Sequence, residues 1–315
     1  MKLIFMGTPD FAVPTLDILL RNNYEIVAVV TAPDKPAGRG QQIQQTAVKK
    51  YAIEHDLKVL QPEKLKSPEF ISALKSLNAD LQIVVAFRML PEEVWNMPKL
   101  GTYNLHASLL PNYRGAAPIN WALINGEKVT GATVFKLKHE IDTGNILSSF
   151  KLELTDEISA GELHDALMIE GAKLMLEAVK KIETGNPQLI EQTIIEGDWK
   201  HAPKLYKENC KINWNNNPDQ IHNLIRGLSP YPSAWTEFID KNNQPMSVKI
   251  FSSSKEFADH GYRPGTIVSD NKNYLKVACE NGFISIKELQ LAGKKKLTIN
   301  EFLKGYQFQI GSSFF

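Results

Sequence analysis

Residues 81–87, LQIVVAF, form an almost uninterrupted apolar run. A half-exposed strand would alternate apolar and polar side chains, so this run predicts a strand covered on both faces, as in a sheet sandwiched between helices. The surroundings repeat the pattern. Upstream, KLIFMG (2–7) and YEIVAVVTAP (24–33) read as strands, separated by the helical spacing of FAVPTLDILLRN (11–22). TAVKKYAIEHD (46–56) is helical in spacing. Downstream, GTYNLHAS (101–108) and TGATVFKL (130–137) are strands, with a helix across PINWALING (118–126). Strands alternating with helices predict an α/β domain built on an open, mostly parallel, Rossmann-like sheet. A long amphipathic helix occupies 159–185, with Leu163, Leu167, Leu174 and Ala178 on one face and Gly185 as its stop signal.

Past this helix the character changes. Residues 186–207 are mixed and polar and read as a linker. From Cys210 onwards there is one helix-like piece, NPDQIHNLIRGL (217–228), and then short alternating runs with Gly, Asn and Asp turns. That pattern predicts a small β-barrel.

The 315 residues, 43% hydrophobic and 23% charged, suit a soluble globular protein of two domains. The N-terminal apolar run is broken by Gly7, Pro9 and Asp10 too early for a signal peptide, and no stretch approaches a membrane span. Cys210 and Cys279 lack metal-site spacing, so no metal is expected and a reducing, cytoplasmic setting fits best. The net charge of +1 hides an asymmetry. Residues 1–199 carry 20 Lys and Arg against 25 Asp and Glu, leaving 16 against 10 for the remainder of the 36 and 35. A basic C-terminal module facing a polyanion and simple drift of surface charge both account for that split.

The turn after the first strand, MGTPDF (6–11), stands where a dinucleotide fold places GxGxxG. With one glycine it lacks the pyrophosphate cradle, and there is no phosphate-binding GxxxxGK[ST] loop either. Chemistry points instead to NLHASLLPNYRGAAP (104–118). In a strand alternate residues share a face, so Asn104 and His106 point together while Leu105 turns away. An amide donor beside an imidazole, at the carboxyl end of a strand, suits an acyl carbonyl becoming tetrahedral. Pro111 and Pro118 stiffen the loop beyond the strand, and Gly115 permits close approach of a ligand. Asp142, in EIDTGNIL (140–147), is the candidate carboxylate to orient His106 and favour its charged form. It reads equally as the start of an Asx turn with Thr143 and Gly144. Ser108 has no nucleophile elbow around it, so Ser108–Pro111 is either a binding wall or a plain strand exit. The basic loop APDKPAGRGQQ (32–42), with Lys35 and Arg39, and the cluster Lys294, Lys295 and Lys296 are candidate phosphate contacts or solvated surface.

These motifs together resemble the folate-dependent formyltransferases: NLHASLLPNYRGAAP with IDTG downstream, the GTPDF opening, the APDKPAGRG loop and HAPKLYKENCKINW before a second domain. The resemblance implies a catalytic domain over 1–188, a linker over 189–208 and an OB-like tRNA-binding barrel over 209–315. It implies transfer of a formyl group from the co-substrate 10-formyltetrahydrofolate to the α-amino group of initiator methionyl-tRNA. Asn104, His106 and Asp142 match the family's catalytic trio. Ser108, Leu109, Leu110 and Pro111 match its folate-contacting segment, and Phe87, Arg88, Met89 and Leu90 fall where it lines the pterin pocket. Arg39 falls in the loop that meets the tRNA acceptor end. Two departures stand out: AFRML (86–90) is closer to the purine-pathway form than to the AYG version, and Lys138, His139 and Glu140 replace the usual acidic residue and glycine before Asp142. Nothing in the patterning demands a partner chain, so a monomer is expected. A purine-pathway or sugar-nucleotide formyltransferase, an RNA-binding protein without activity, and a formate-releasing hydrolase remain alternatives at this level.

Overall fold

The computed structural model describes residues 1–37, 42–193 and 199–315, so Arg39 lies outside the described residues. The chain divides into two compact units. One comprises Met1–Gly115, Thr130–Leu152 and His164–His201; the other comprises Ala116–Val129, Glu153–Leu163 and Ala202–Phe315.

In chain order the first part runs β1 (Lys2–Gly7), α1 (Val13–Arg21), β2 (Glu25–Val30), β3 (Lys35–Ala37), β4 (Gln42–Gln44) and α2 (Ala47–Glu54). It continues with β5 (Val59–Leu60), α3 (Pro68–Ser76), β6 (Leu81–Val85), α4 (Glu92–Trp95) and β7 (Thr102–His106). Next come β8 (Arg114–Gly115), α5 (Pro118–Ile124), β9 (Val129–Lys136), β10 (Ile146–Glu153) and α6 (Ala160–Glu183). The main sheet has the order β10-β9-β7-β6-β1-β2-β5. β5, β2, β1, β6 and β7 are parallel, while β9 runs antiparallel to β7. All five residues of β6 are buried, as its apolar run requires. Local signals set the helix starts: the Thr46 hydroxyl accepts from Lys49 N at 3.0 Å, and Ser67 caps α3 ahead of Pro68.

α6 lies against the back of β7. A Cβ on Gly171 would come within 2.8 Å of the Leu105 side chain, so the glycine lets helix and strand approach closely. Leu163, Leu167 and Ala178 are buried as their spacing predicts, but Leu174 is only half-buried and Met175 takes the inward position. At 3.6 residues per turn the stripe drifts by one position over this length.

The second part contains β11 (His201–Ala202), α7 (Pro218–Leu228), β12 (Ala234–Ile239), β13 (Pro245–Phe257), β14 (Ile267–Ser269), β15 (Leu275–Cys279), β16 (Gly282–Leu291), β17 (Leu297–Thr298) and α8 (Ile299–Gly305). The antiparallel sheet has the order β12-β13-β16-β15-β14, with β17 paired to β16. Ser313 and Phe314 bridge Thr266, beside β14, and Phe238 of β12, so the chain end links the two edges of the curled sheet. Its core gathers Trp214, Ile221, Phe238, Ile250, Val277 and Phe302. α8 corrects the reading of a single helix in this region. Its signal is the capping box of Thr298 and Glu301, hidden by the shortness of the helix it starts.

Candidate active site

β7 carries Asn104 and His106 on one face, with Leu105 turned toward α6 on the other. Register aligns Asn104 with Val84 on one side and with Phe135 on the other, and His106 with Thr133. Asn104 is half-buried, and no described residue engages its carboxamide. His106 is 6% exposed, and its Nε2 lies 2.8 Å from the Tyr113 carbonyl oxygen. A carbonyl only accepts, so Nε2 holds a proton and donates it there. The imidazole therefore meets a substrate through Nδ1. That atom lies 3.8 Å from Asp142 Oδ2, close for charges and too long for a hydrogen bond.

The strand exit is locked by its own polar atoms. Thr133 Oγ1 donates to Ser108 O at 2.7 Å and accepts from Leu110 N at 3.2 Å. The Ser108 hydroxyl is fully buried and donates to Asn112 O at 2.7 Å, so this side chain fastens the turn. Leu110 is also buried, which leaves Leu109 and Pro111 with surface to offer. In the segment after β6, Met89 is exposed and Phe87 and Arg88 are half-buried, while Leu90 joins the hydrophobic cluster around Ile4 and Val84. Arg88 donates to Pro62 O at 2.8 Å and Glu63 O at 3.1 Å, and its guanidinium stands 5.3 Å from the Phe87 ring. Burial pushes the Arg88 pKa down, and its Nε is buried with no hydrogen-bond partner. An orphaned donor beside an aromatic ring fits a wall for a flat polar heterocycle such as a pterin.

Several features of the site escape a sequence reading. Asp142 adopts a φ of +54°, in the left-handed region. Its Oδ2 accepts from Gly115 N at 3.1 Å, and Gly115 has a φ of +124°. Gly115 thus uses its conformational freedom to aim a backbone donor at the carboxylate. Gly144 is required by crowding: a Cβ there would sit 1.6 Å from Lys136 O. Arg114 lies within the quoted motif, and burial pushes its pKa down while Asp142 and Glu140 oppose that shift. The stretch read as a linker meets this unit at Ile190, at Gln192 and at Trp199, whose ring lies 5.7 Å from the Arg114 guanidinium. Proximity across the chain is what brings these in, and no local motif marks it.

Among the phosphate-contact candidates, Lys35 is exposed on β3, whose root is held by the Lys49–Asp34 ion pair at 2.5 Å. Lys294, Lys295 and Lys296 are exposed in the turn between β16 and β17, and Lys296 pairs with Glu288 at 2.8 Å. In the second unit a groove of about 560 Å³ is lined by Tyr262, Tyr274, Lys276, Phe283 and Lys287. Among the described residues, no cluster of three or more His, Cys, Asp or Glu is placed to hold a metal ion. No helix among them is long and apolar enough to cross a membrane.

A Rossmann-like sheet presents an amide and an imidazole at one strand end, with a loop carboxylate 3.8 Å from the ring, an arrangement suited to acyl-group transfer. Residues 1–179 match the formyl transferase family and residues 204–307 match its C-terminal domain, and the chain belongs to this family. It is 52% identical over 308 residues to the methionyl-tRNA formyltransferase of Bacteroides fragilis, covering 97% of this chain and 95% of that one. The methionyl-tRNA formyltransferase of Flavobacterium johnsoniae is also 52% identical, over 98% of this chain and 97% of its own. Among solved structures, the sugar 3N-formyltransferase WlaRD, studied with dTDP and 5-N-formyl-THF, has a TM-score of 0.66 at 20% identity, covering 94% of this chain and 99% of its own. HypX from Aquifex aeolicus, in complex with tetrahydrofolic acid, has a TM-score of 0.63 at 17% identity, over 98% of this chain and 49% of its own. Both share the fold.

Proposed function

We propose that this protein transfers the formyl group of 10-formyltetrahydrofolate to the α-amino group of methionine on initiator tRNA, with Asn104, His106 and Asp142 as the reacting groups. One observation carries the chemistry: His106 has one ring nitrogen committed to Tyr113 O and the other directed at a carboxylate 3.8 Å away, beside the unengaged Asn104 amide. Its relatives, similar over nearly the full length of both chains, support the acceptor.

The co-substrate supplies an activated formyl carbon. As the amine adds, negative charge gathers on the formyl oxygen, where Asn104 and the His106 Nδ1–H donate hydrogen bonds. Asp142, 3.8 Å from the ring, takes the proton that the amine loses. The C–N bond to methionine forms, the bond to the folate nitrogen breaks, and the proton passes to that nitrogen as it leaves. Phe87, Arg88, Met89, Leu109 and Pro111 form the pterin wall.

For the tRNA, Lys35, Arg39, Lys294, Lys295 and Lys296 serve as phosphate contacts. The lysines and aromatic rings of the groove on the second unit offer the mixed surface that nucleic acid meets well. The functional division assigns residues 1–188 to catalysis, together with the part of 189–208 that belongs to the first unit, and 209–315 to tRNA. The protein acts as a monomer in the cytoplasm, where its two buried free cysteines stay reduced. Sedimentation and cell fractionation test those two points.

The decisive assay supplies 10-formyltetrahydrofolate with initiator methionyl-tRNA, a glycinamide ribonucleotide or an amino-sugar nucleotide. Formylation of the tRNA alone is expected. Preference for another acceptor, or formate released with none present, would refute the reading.

A further inference from the structure

We propose that Gln192 is a positioning residue for this reaction: its carboxamide sets the turn bearing Asp142 against the His106 imidazole. This rests on the reading of Asp142 and His106 as reacting groups. The Asp142 carboxylate and the imidazole are 3.8 Å apart, so no hydrogen bond between them keeps the distance. Something else must hold the carboxylate there.

The chain supplies it through register. Ile190 and Ile146 exchange backbone hydrogen bonds of 2.7 and 2.8 Å in an antiparallel bridge, which places residue 192 opposite residue 144. From that place the half-buried Gln192 Nε2 donates to Asp142 O at 2.9 Å and to Gly144 O at 2.7 Å. Its Oε1 accepts from Arg114 Nη2 at 2.5 Å and from Nε at 3.2 Å. Both hydrogens and both lone pairs of the amide are engaged. The next residue after Arg114, Gly115, donates its N–H to Asp142 Oδ2 at 3.1 Å. One side chain therefore ties together two loops: 112–115, which also supplies the Tyr113 carbonyl to His106, and 140–144, which supplies Asp142. The Asp142 turn needs such support, because Asp142 has a φ of +54° and Gly144 is pressed against Lys136 O.

The charged groups around the carboxylate are His106 and Arg114, with Glu140 acting on Arg114. Arg114 is held by the same amide, so loss of Gln192 disturbs both.

The test compares Gln192→Ala and Gln192→Glu with the wild type. The glutamate keeps the size and the partner for Arg114 but cannot donate to the two carbonyls. Formylation kinetics should show kcat about 10- to 100-fold lower in both, as for a misplacement of reacting groups by about 1 Å. KM for either substrate should stay within about twofold, because no binding contact is removed. The thermal midpoint should be little changed. Normal kcat in Gln192→Glu, or a fall in kcat matched by a rise in KM, would overturn the proposal. So would loss of folding in both variants, which would make the amide a purely structural one. Asp142→Asn is assayed in parallel. If it turns over normally, the underlying mechanism fails; if it is impaired while Gln192→Glu is not, only this inference fails.

Discussion

His106 and His222 are both almost wholly buried, one in each compact unit, at 6% and 3% exposure. His222, on α7, has both ring nitrogens satisfied: Nδ1 lies 3.0 Å from Ser253 Oγ and Nε2 lies 3.0 Å from Asp156 O. The carbonyl can only accept, so Nε2 carries the proton and Nδ1 accepts from the serine. Burial pushes the His222 pKa down, and the ring stays neutral and fixed. His106 commits Nε2 in the same way, to Tyr113 O, but its Nδ1 is left facing a carboxylate beyond hydrogen-bonding reach. Burial is common to both. One uncommitted nitrogen separates the two rings.

Exchanging the roles should fail, and this gives the largest expected effects. His106→Ala and Asn104→Ala should each lower kcat by about 10²–10³-fold with folding intact, the loss seen when one oxyanion donor is removed. His222→Ala should leave kcat unchanged and lower the denaturation midpoint, read by chemical unfolding. The opposite pattern would break the comparison. Asp142→Asn keeps the shape and removes the charge; kcat should fall by about 10²-fold, as when a positioned proton acceptor is lost. Thr133→Val tests the frame that holds the His106 strand end. It leaves Leu110 N unpaired and buried, and should destabilise the fold by about 1–3 kcal/mol in urea titrations.

A smaller effect concerns pH. His222 is held below the value of 6.5 it has in water, so the unfolded chain takes up a proton at a higher pH than the folded one. The stability is full above 6.5 and declines as pH falls through that value toward the folded pKa. His222→Gln should flatten this part of the stability curve; an unchanged acid slope would show that the ring does not contribute. The smallest effect lies outside both histidines. Replacing Lys294, Lys295 and Lys296 by alanine should leave kcat alone and reduce the slope of log affinity for tRNA against log salt by about two units. Lys296 is already paired with Glu288, which is why the full three are not expected.

Much of the fold was legible because the period of burial is written locally. The apolar run at 81–85 became a strand buried along its whole length, and the helical spacing at 46–56 and 217–228 became helices that start at Thr46 and Asn217, while the helix capped by Ser67 went unread. The antiparallel attachment of β9 to β7 was not legible, because strand direction is set by where the connection returns. Of the site, Asn104 and His106 could be paired from alternation alone. Ser108 looked like part of a ligand wall, yet its hydroxyl belongs to the turn through Asn112 O. Gln192 stood in a polar stretch with no motif, and only its contacts with Asp142, Gly144 and Arg114 give it meaning.

The sequence by itself determined five strands of the main sheet, most helices, the family resemblance and the pairing of an amide with an imidazole on one strand face, since these depend on residue type and near-neighbour spacing. Only the tertiary structure decided which histidine nitrogen is uncommitted, how near Asp142 comes, and what keeps it there. Those rest on contacts between residues far apart in the chain, such as Gly115 with Asp142 and Gln192 with Gly144, whose distances are set by packing and register.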